Sequence, residues 1–296
     1  MSWGWVWWGG PYCRAVVQRV NEVARLKKED VVDIRERLSR YDADLVRKTG
    51  LSLRGIAGRS TGGSEKKAVD AMASRRVAVI PVTVGQGVIG GFVEAVAGIL
   101  AYLGADVFRT EDSDVAGLAE GVERGADIVF LADDNQFIAL NLSARRVVHN
   151  VEATARGYVA ALESMAGGLD KRGVLVIGGA GRVGWNAVLS LKEKGAKVAA
   201  FDLDRDRIGL LARGHHEIAL ESNLEEALSR YTVFFDASPS ADNIRARHVK
   251  PETLIAAPAT PLMLDGEAYA MVKERLIHDS LEIGVAAMLL NACCFG

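Results

Sequence analysis

A glycine-rich turn between a strand-like and a helix-like segment constrains the fold of this chain more than any other feature. The motif G-x-G-x-x-G occupies Gly179–Gly184, directly after the apolar run Val174–Ile177 and directly before the helical pattern Trp185–Lys194. The next apolar run, Lys197–Phe201, is followed by Asp202, which lies 23 residues after the first glycine of the motif. This order of strand, glycine turn, helix and acid-terminated strand predicts a Rossmann unit that binds a dinucleotide.

Each glycine of the turn has a physical role in this interpretation. Gly179 permits the tight turn, Gly181 lets a diphosphate approach the backbone, and Gly184 lets the helix pack closely on the strand. The unpaired N–H groups and the dipole at the start of the helix favour the diphosphate. The residues predicted to hold the cofactor at this turn are Gly179, Gly181, Arg182, Val183 and Gly184.

The acid that ends the second strand predicts which dinucleotide is bound. The carboxylate of Asp202 can accept hydrogen bonds from both ribose hydroxyls, and it would repel a 2′-phosphate. We therefore expect NAD rather than NADP. Arg205 and Arg207 follow closely and could reverse that choice, and a glycine turn without any ligand is the plain alternative.

Two later strands end in loops that are predicted to border the nicotinamide. Val233–Ala237 leads into Ser238 and Pro239, and Leu254–Ala257 leads into Pro258. In doubly wound sheets, ligands bind outside the carboxyl ends of the strands. Ser238, Pro239 and Pro258 therefore join the predicted cofactor site, although prolines that merely end a strand are an equally good interpretation.

The N-terminal half has a strand–helix rhythm of its own. Three short apolar runs alternate with two helical patterns; the runs are Val77–Val82, Asp106–Phe108 and Asp127–Ala132, and the helices are Val88–Leu103 and Val115–Arg124. This βαβαβ order predicts parallel strands covered by helices. The fold class is therefore α/β, with a C-terminal Rossmann domain and a smaller N-terminal α/β domain.

Polar side chains follow each of the three N-terminal strands. They are Thr83 and Gln86 after the first, Asp112 and Asp114 after the second, and Asp133, Asp134 and Asn135 after the third. Strand ends of a parallel sheet converge, so these loops are candidates for a substrate pocket that faces the cofactor. Any one of these residues could instead cap a helix.

The helical pattern Val151–Met165 ends at two glycines, Gly167 and Gly168, where we predict the domain boundary. The expected organisation is an extension over 1–25, the substrate domain over 26–167, the Rossmann domain over 168–278, and a helix over 279–296 that returns to the N-terminal domain. Upstream, Lys27–Lys48 is predicted to be an amphipathic helix and Gly55–Ser74 a loop.

Composition excludes several classes of function. The chain has 36 Lys and Arg against 38 Asp and Glu, which gives a net charge of −2. It therefore lacks the excess of positive charge that would indicate nucleic-acid binding. Its three cysteines form neither a disulfide framework nor a zinc motif, so we expect reduced thiols, a cytoplasmic location and no metal. The tryptophan-rich start, Trp3–Trp8, lacks the basic region of a signal peptide, and the apolar stretch Val88–Phe108 fits a buried helix better than a membrane span.

Several motifs outside the glycine turn resemble the PylD family of pyrrolysine-biosynthesis dehydrogenases. The resemblance runs from about Leu26 to Leu290 and is carried by Pro81–Gly90, Asp114–Gly117, Leu131–Asn135, Asn150 with Thr154, Gly181–Gly184, Ala237–Asp242 and Ile283–Leu289. The Asp-Asp-Asn segment and the Thr-x-Gly-x-Gly-x-Ile-Gly segment are far more specific than a generic Rossmann turn. The first 25 residues fall outside the resemblance.

The resemblance implies a reaction. Members of this family use NAD to oxidise the terminal amine of L-lysine-Nε-3R-methyl-D-ornithine, and the resulting imine or semialdehyde closes to the pyrroline ring of pyrrolysine. Our hypothesis is that Asp133, aided by Asn150, orients the amine. The further residues expected to bind the substrate are Thr83, Gln86, Asp114, Asn135 and Thr154.

Other interpretations remain open at the level of sequence. The same Rossmann turn would serve an NAD-dependent dehydrogenase of another amine or amino acid, or a non-catalytic module that senses NAD. The small-molecule substrate is the expected partner, and association into a homo-oligomer is left open. Asp279 and Glu282, at the entrance of the last helix, are expected either to cap that helix or to line the cleft near a cationic substrate group.

Overall fold

The computed structural model describes residues 26, 28–31, 33–73, 75–85, 89–240 and 243–293. Within these ranges the chain builds a five-stranded and a six-stranded sheet, both with helices packed on them. This confirms the predicted fold class of two α/β domains. The predicted extension over residues 1–25, the tryptophan-rich start and Gln86 lie outside the described residues.

The N-terminal sheet has the strand order β2-β1-β3-β4-β5. Its strands are β1 (Arg76–Ile80), β2 (Asp106–Arg109), β3 (Ile128–Ala132), β4 (Phe137–Asn141) and β5 (Arg146–His149). The three predicted strands pair in parallel. Strands β4 and β5 were not predicted, and they add two antiparallel pairings, so the sheet is mixed rather than wholly parallel.

Seven helices belong to the N-terminal part of the described chain. They are α1 (Lys28–Val31), α2 (Ile34–Thr49), α3 (Leu53–Ser60), α4 (Glu65–Ala73), α5 (Phe92–Tyr102), α6 (Asp114–Glu123) and α7 (Asn150–Ala166). Helix α7 ends as predicted, because Gly167 adopts the left-handed conformation with φ 68°.

The predicted loop over Gly55–Ser74 is wrong, because this stretch forms α3 and α4. The glycines and polar residues make its apolar face hard to recognise in the sequence. In the structure, Ile56 and Met72 of that face are fully buried. Gly58 allows the two helices to meet, since a Cβ there would lie 2.9 Å from the carbonyl oxygen of Ser64. Burial against the core outweighs the weak helix propensity of glycine here.

The C-terminal sheet is entirely parallel and has the order β11-β10-β9-β6-β7-β8. Its strands are β6 (Gly173–Ile177), β7 (Lys197–Phe201), β8 (Ala219–Leu220), β9 (Val233–Asp236), β10 (Leu254–Ala256) and β11 (Leu276–Ile277). Counted from β6 as the first strand, this is the order 3-2-1-4-5-6 of the Rossmann fold. The helices are α8 (Arg182–Glu193), α9 (Arg205–Leu211), α10 (Leu224–Arg230) and α11 (Gly266–Val272), with 3₁₀ turns at Ala246–His248 and Lys273–Arg275.

The last helix, α12 (Glu282–Cys293), lies against α7 and α3 of the N-terminal part. It is buried along almost its whole length. Two glycines permit the close approach of α7 and α12: a Cβ at Gly157 would lie 2.6 Å from Cγ2 of Ile283, and one at Gly284 would lie 2.6 Å from Oγ1 of Thr154. None of the helices within the described ranges combines the length and the apolar character that a membrane span requires.

Candidate active site

The glycine turn joins β6 to α8, as the sequence predicts. The left-handed residue is Gly178, with φ 77°, rather than Gly179. Gly179 is needed for packing instead, because a Cβ there would lie 3.1 Å from Cβ of Ala200 on β7. A Cβ at Gly184 would overlap the carbonyl oxygen of Gly178, so a glycine at this position lets α8 approach the turn closely.

The start of α8 offers what a diphosphate needs. Gly181 is the N-terminal cap and has no side chain to occupy the site, and Arg182 and Val183 form the first turn. The N–H groups of a first helical turn have no intrahelical acceptor, and they lie at the positive end of the helix dipole. An open cleft of about 420 Å³ adjoins this turn and is also lined by His149, Glu152 and Arg207.

Asp202 lies beside the turn, where the ribose of a dinucleotide would be recognised. Its Oδ2 accepts a hydrogen bond from the N–H of Ala180 at 2.8 Å, and its Oδ1 accepts one from the N–H of Asp204 at 2.9 Å. Each oxygen keeps a lone pair for a ribose hydroxyl. The guanidinium of Arg205 points elsewhere, since it donates to the carbonyl oxygens of Glu221 and Ser222 and stacks 4.7 Å from the ring of Phe201.

The two loops predicted to border the nicotinamide follow β9 and β10. In the first, the N–H of Ser238 donates to Oδ1 of Asp236 at 3.1 Å, and the Ser238 hydroxyl is 3.1 Å from that of Ser240; Pro239 is exposed. In the second, Pro258 follows Ala257, whose N–H donates to the carbonyl oxygen of Ile277 at 2.8 Å. Asp236 is fully buried, and burial raises its pKa to about 7.

In the N-terminal domain, Thr83 and Asp114 are paired. The N–H of Thr83 donates to Oδ1 of Asp114 at 2.8 Å, and the Thr83 hydroxyl donates to Oδ2. Both hydrogen bonds favour the carboxylate and lower the pKa of Asp114. This pair connects the loops after β1 and β2.

The Asp-Asp-Asn segment forms the turn between β3 and β4. Oδ1 of Asp133 accepts hydrogen bonds from the N–H groups of Asn135 and Gln136, each at 2.7 Å, so one carboxylate oxygen fixes the turn. Asp134 lies against Gly85, whose φ is 81° and where a Cβ would overlap the Asp134 carboxylate. The loop after β1 and the turn after β3 are therefore in contact.

Asn150 and Thr154 lie on the first turns of α7, opposite α12. The Asn150 side-chain amide donates to Sδ of Met288 at 3.4 Å, and Thr154 faces Gly284. Strand register places the start of α7 at the same sheet edge as the Asp-Asp-Asn turn, because Ile138, next to that turn, pairs with His149. The edge thus gathers the two residues predicted to be catalytic, Asp133 and Asn150, with four of those predicted to bind the substrate, Thr83, Asp114, Asn135 and Thr154.

A hydrogen bond joins this edge to the glycine turn. Nη1 of Arg182, on the first turn of α8, donates to the main-chain oxygen of Asn135 at 3.0 Å. The carboxyl edges of the two sheets therefore meet at a common cleft, with the glycine turn on one side and the Asp-Asp-Asn turn on the other.

A buried cluster of titratable groups lies at the start of α12, and sequence reasoning mostly missed it. The Tyr41 hydroxyl donates to Oδ2 of Asp279 at 2.5 Å, and the N–H of Asp279 donates to the Tyr158 hydroxyl at 2.9 Å. Oε1 of Glu282 is 3.1 Å from Nη2 of Arg37. Burial raises the pKa of Asp279, and it raises that of Glu282 to about 7.

The sequence carried only part of the signal for this cluster. Asp279 and Glu282 were predicted either to cap the last helix or to line the cleft, and Asp279 does receive the N–H of Ile283 at 3.3 Å. Arg37 and Tyr41 lie more than two hundred residues away in sequence, so no local pattern could place them there. Among the residues that the structure describes, no group of three or more His, Cys, Asp or Glu could hold a metal ion.

Comparison with known proteins identifies the family. The family model described as "Pyrrolysine biosynthesis protein PylD, N-terminal domain" matches residues 30–148. The chain is 32% identical over 269 residues to the pyrrolysine synthase of Methanosarcina acetivorans, covering 91% of this chain and 99% of that protein. It is 30% identical over 270 residues to the pyrrolysine synthase of Methanosarcina barkeri, covering 91% of this chain and 98% of that protein.

One solved structure is similar to this chain in its fold only. Aspartate transcarbamoylase from Trypanosoma cruzi in complex with phosphate superposes with a TM-score of 0.51 at 11% identity, covering 91% of this chain and 92% of that one. By its sequence relatives, which match almost from end to end, this chain belongs to the PylD family of pyrrolysine biosynthesis proteins.

Proposed function

We propose that this protein catalyses the last step of pyrrolysine biosynthesis, the NAD-dependent oxidation of the terminal amine of L-lysine-Nε-3R-methyl-D-ornithine. The imine or semialdehyde formed then closes to the pyrroline ring. The observation that carries the proposal is the hydrogen bond from Arg182 to Asn135, because it sets the dinucleotide turn against the Asp-Asp-Asn turn of the substrate domain. The names of the two Methanosarcina relatives support the same reaction.

The residues of the Rossmann domain fit a dinucleotide. The first turn of α8 would bind the diphosphate, Asp202 the ribose, and the loops at Ser238–Pro239 and Pro258 would flank the nicotinamide. When bound, NAD supplies the hydride acceptor. Asp202 and the engagement of Arg205 with Glu221 and Ser222 both favour NAD over NADP.

The residues of the N-terminal domain would hold the amine end of the substrate. Hydride can leave the amine-bearing carbon only when that nitrogen has a lone pair, so the substrate ammonium must first lose a proton. Asp133 is suited to orient this group, since its Oδ1 fixes the turn and its Oδ2 is left to pair with a cation. Asn150, with Thr83, Asp114, Asn135 and Thr154, would position the remaining polar groups.

This enzyme would act in the cytoplasm.

The test is to incubate the full-length protein with NAD and synthetic lysyl-methylornithine. We expect the absorbance of NADH to increase, together with the appearance of a product that has the mass of pyrrolysine. NADH formed only with another amine or amino acid would replace this substrate assignment, and tight NAD binding without turnover on any amine would mark a sensing module instead.

A further inference from the structure

His278 stands at the carboxyl edge of the Rossmann sheet, beside the loop proposed to flank the nicotinamide. It directly follows β11, whose Ile277 pairs with Ala256 of β10. Its Nδ1 is 2.7 Å from the main-chain oxygen of Ala257, the residue before Pro258. From the sequence alone this histidine is expected to be a surface or interdomain residue, because nothing near it in the sequence indicates its contact with Ala257.

The hydrogen bond to Ala257 fixes which ring nitrogen can act as a base. A carbonyl oxygen only accepts, so Nδ1 must carry the hydrogen, and in the neutral ring Nε2 holds the free lone pair. His278 is half-buried. Burial lowers the pKa of His278, which keeps the ring neutral near neutral pH and leaves the lone pair on Nε2.

The charged groups around His278 come from three helices. Glu282 of α12 and Asp30 of α1 favour the protonated ring, and Arg37 of α2 opposes it. Glu282 is fully buried, and its Oε1, although 3.1 Å from Nη2 of Arg37, completes no hydrogen bond within the described structure. A cation formed or bound beside Glu282 would satisfy this oxygen.

We propose that Nε2 of His278 is the proton acceptor of the amine oxidation, with Glu282 as the positioning residue that stabilises the resulting imidazolium. The step rests on the proposed function. The substrate ammonium gives one proton to Nε2 and becomes a neutral amine. The C–H bond then breaks with its electron pair passing as hydride to NAD, and the nitrogen lone pair forms the C=N bond of an iminium.

Two variants test the assignment on the full-length protein. His278→Asn keeps an N–H donor for the Ala257 oxygen but has no basic nitrogen, and His216→Asn changes an exposed histidine as the matched control. We expect His278→Asn to lower kcat by about 10²–10⁴-fold, the usual range for a lost general base, with NAD affinity within about threefold of wild type. The acid limb of the wild-type kcat profile should vanish in this variant and persist in His216→Asn.

A second measurement does not depend on turnover. Nitrogen-15 NMR of the ligand-free wild-type protein, with the His278 signals assigned by their loss in His278→Asn, should give a protonated Nδ1 and an unprotonated Nε2 at pH 7.5. The opposite tautomer would overturn the proposal, as would a His278→Asn enzyme with wild-type kcat and an unchanged acid limb. If wild type makes no NADH from lysyl-methylornithine, the proposed function itself fails, and this step fails with it.

Discussion

Arg182 donates a hydrogen bond from Nη1 to the main-chain oxygen of Asn135 across 3.0 Å, and so connects the first turn of α8 to the turn between β3 and β4. The two residues are 47 positions apart, and the elements they belong to adjoin different sheets. The contact joins a side chain to a backbone atom, so it reports the position of the Asp-Asp-Asn turn rather than the identity of Asn135.

Replacing Arg182 with alanine should therefore loosen the cleft without unfolding the protein. A hydrogen bond from a charged donor at an exposed site is worth about 1 kcal/mol, which corresponds to roughly a fivefold change in binding. We expect KM for NAD and for lysyl-methylornithine both to rise by about that factor. The control is Arg156→Ala. Arg156 on α7 forms an ion pair with Glu193 on α8, away from the turn, so this variant also removes one arginine contact to α8. Equal kinetic constants for the two variants would contradict a role for the Arg182 contact.

Asp133→Asn should cost far more turnover than Asp134→Asn. The amide oxygen of an asparagine can still accept the N–H groups of Asn135 and Gln136, so the turn survives and only the negative charge is lost. We expect kcat/KM for lysyl-methylornithine to fall at least a hundredfold in Asp133→Asn, and less than tenfold in Asp134→Asn, measured as NADH formation. Near-wild-type rates for both variants would show that Asp133 does not orient the substrate amine.

The sequence predicted most of the Rossmann domain because its signals are local. Turn, helix and strands follow one another between Val174 and Ala257, and the acid at Asp202 completes the pattern. The loops after β1, β2 and β3 were also predicted to converge, since parallel strands end at one edge.

What the sequence did not reveal depends on distant partners. The helices α3 and α4 look like a loop because their apolar faces are short and contain glycine. Only the burial of Ile56 on α3 and Met72 on α4 in the folded protein reveals those faces. The cluster around Glu282 is assembled from α2, α7 and the start of α12, and no local sequence periodicity connects these segments. The left-handed residue is Gly178 rather than Gly179. The sequence could not distinguish these adjacent glycines, because each is packed against a residue outside the turn, Ala237 for Gly178 and Ala200 for Gly179.

Asp202 should control the choice between NAD and NADP. Removing its charge in Asp202→Asn takes away the repulsion of a 2′-phosphate and leaves Arg207, which lines the cleft, to attract it. We expect the ratio of kcat/KM for NAD over NADP to fall by at least tenfold. Asp206→Asn, at an exposed position of α9, is the matched loss of charge and should leave the ratio within twofold. A ratio unchanged in Asp202→Asn would show that another group reads the ribose.

Burial of Asp236 should make the stability of the protein depend on pH. The pKa of this carboxyl is about 7 in the folded protein against 3.8 ordinarily. Between these values the unfolded chain has released the proton and the folded chain has kept it, so the free energy of unfolding falls as pH rises. Integrated over about three pH units, the loss is about 4 kcal/mol, complete above pH 7.

Asp236→Asn isolates this contribution, because the amide does not titrate and can still accept the N–H of Ser238. Burial also raises the pKa values of Asp279 and Glu282. Their contribution to the pH dependence of stability is the same in wild type and variant, so it cancels when the two proteins are compared. Urea unfolding at pH 5 and at pH 7.5 should give the variant a smaller loss of stability than wild type. The exposed Asp170→Asn should keep the wild-type dependence. Parallel pH dependences for wild type and Asp236→Asn would mean that Asp236 is ionised in the folded protein at pH 5, with its charge stabilised by the N–H groups that surround it.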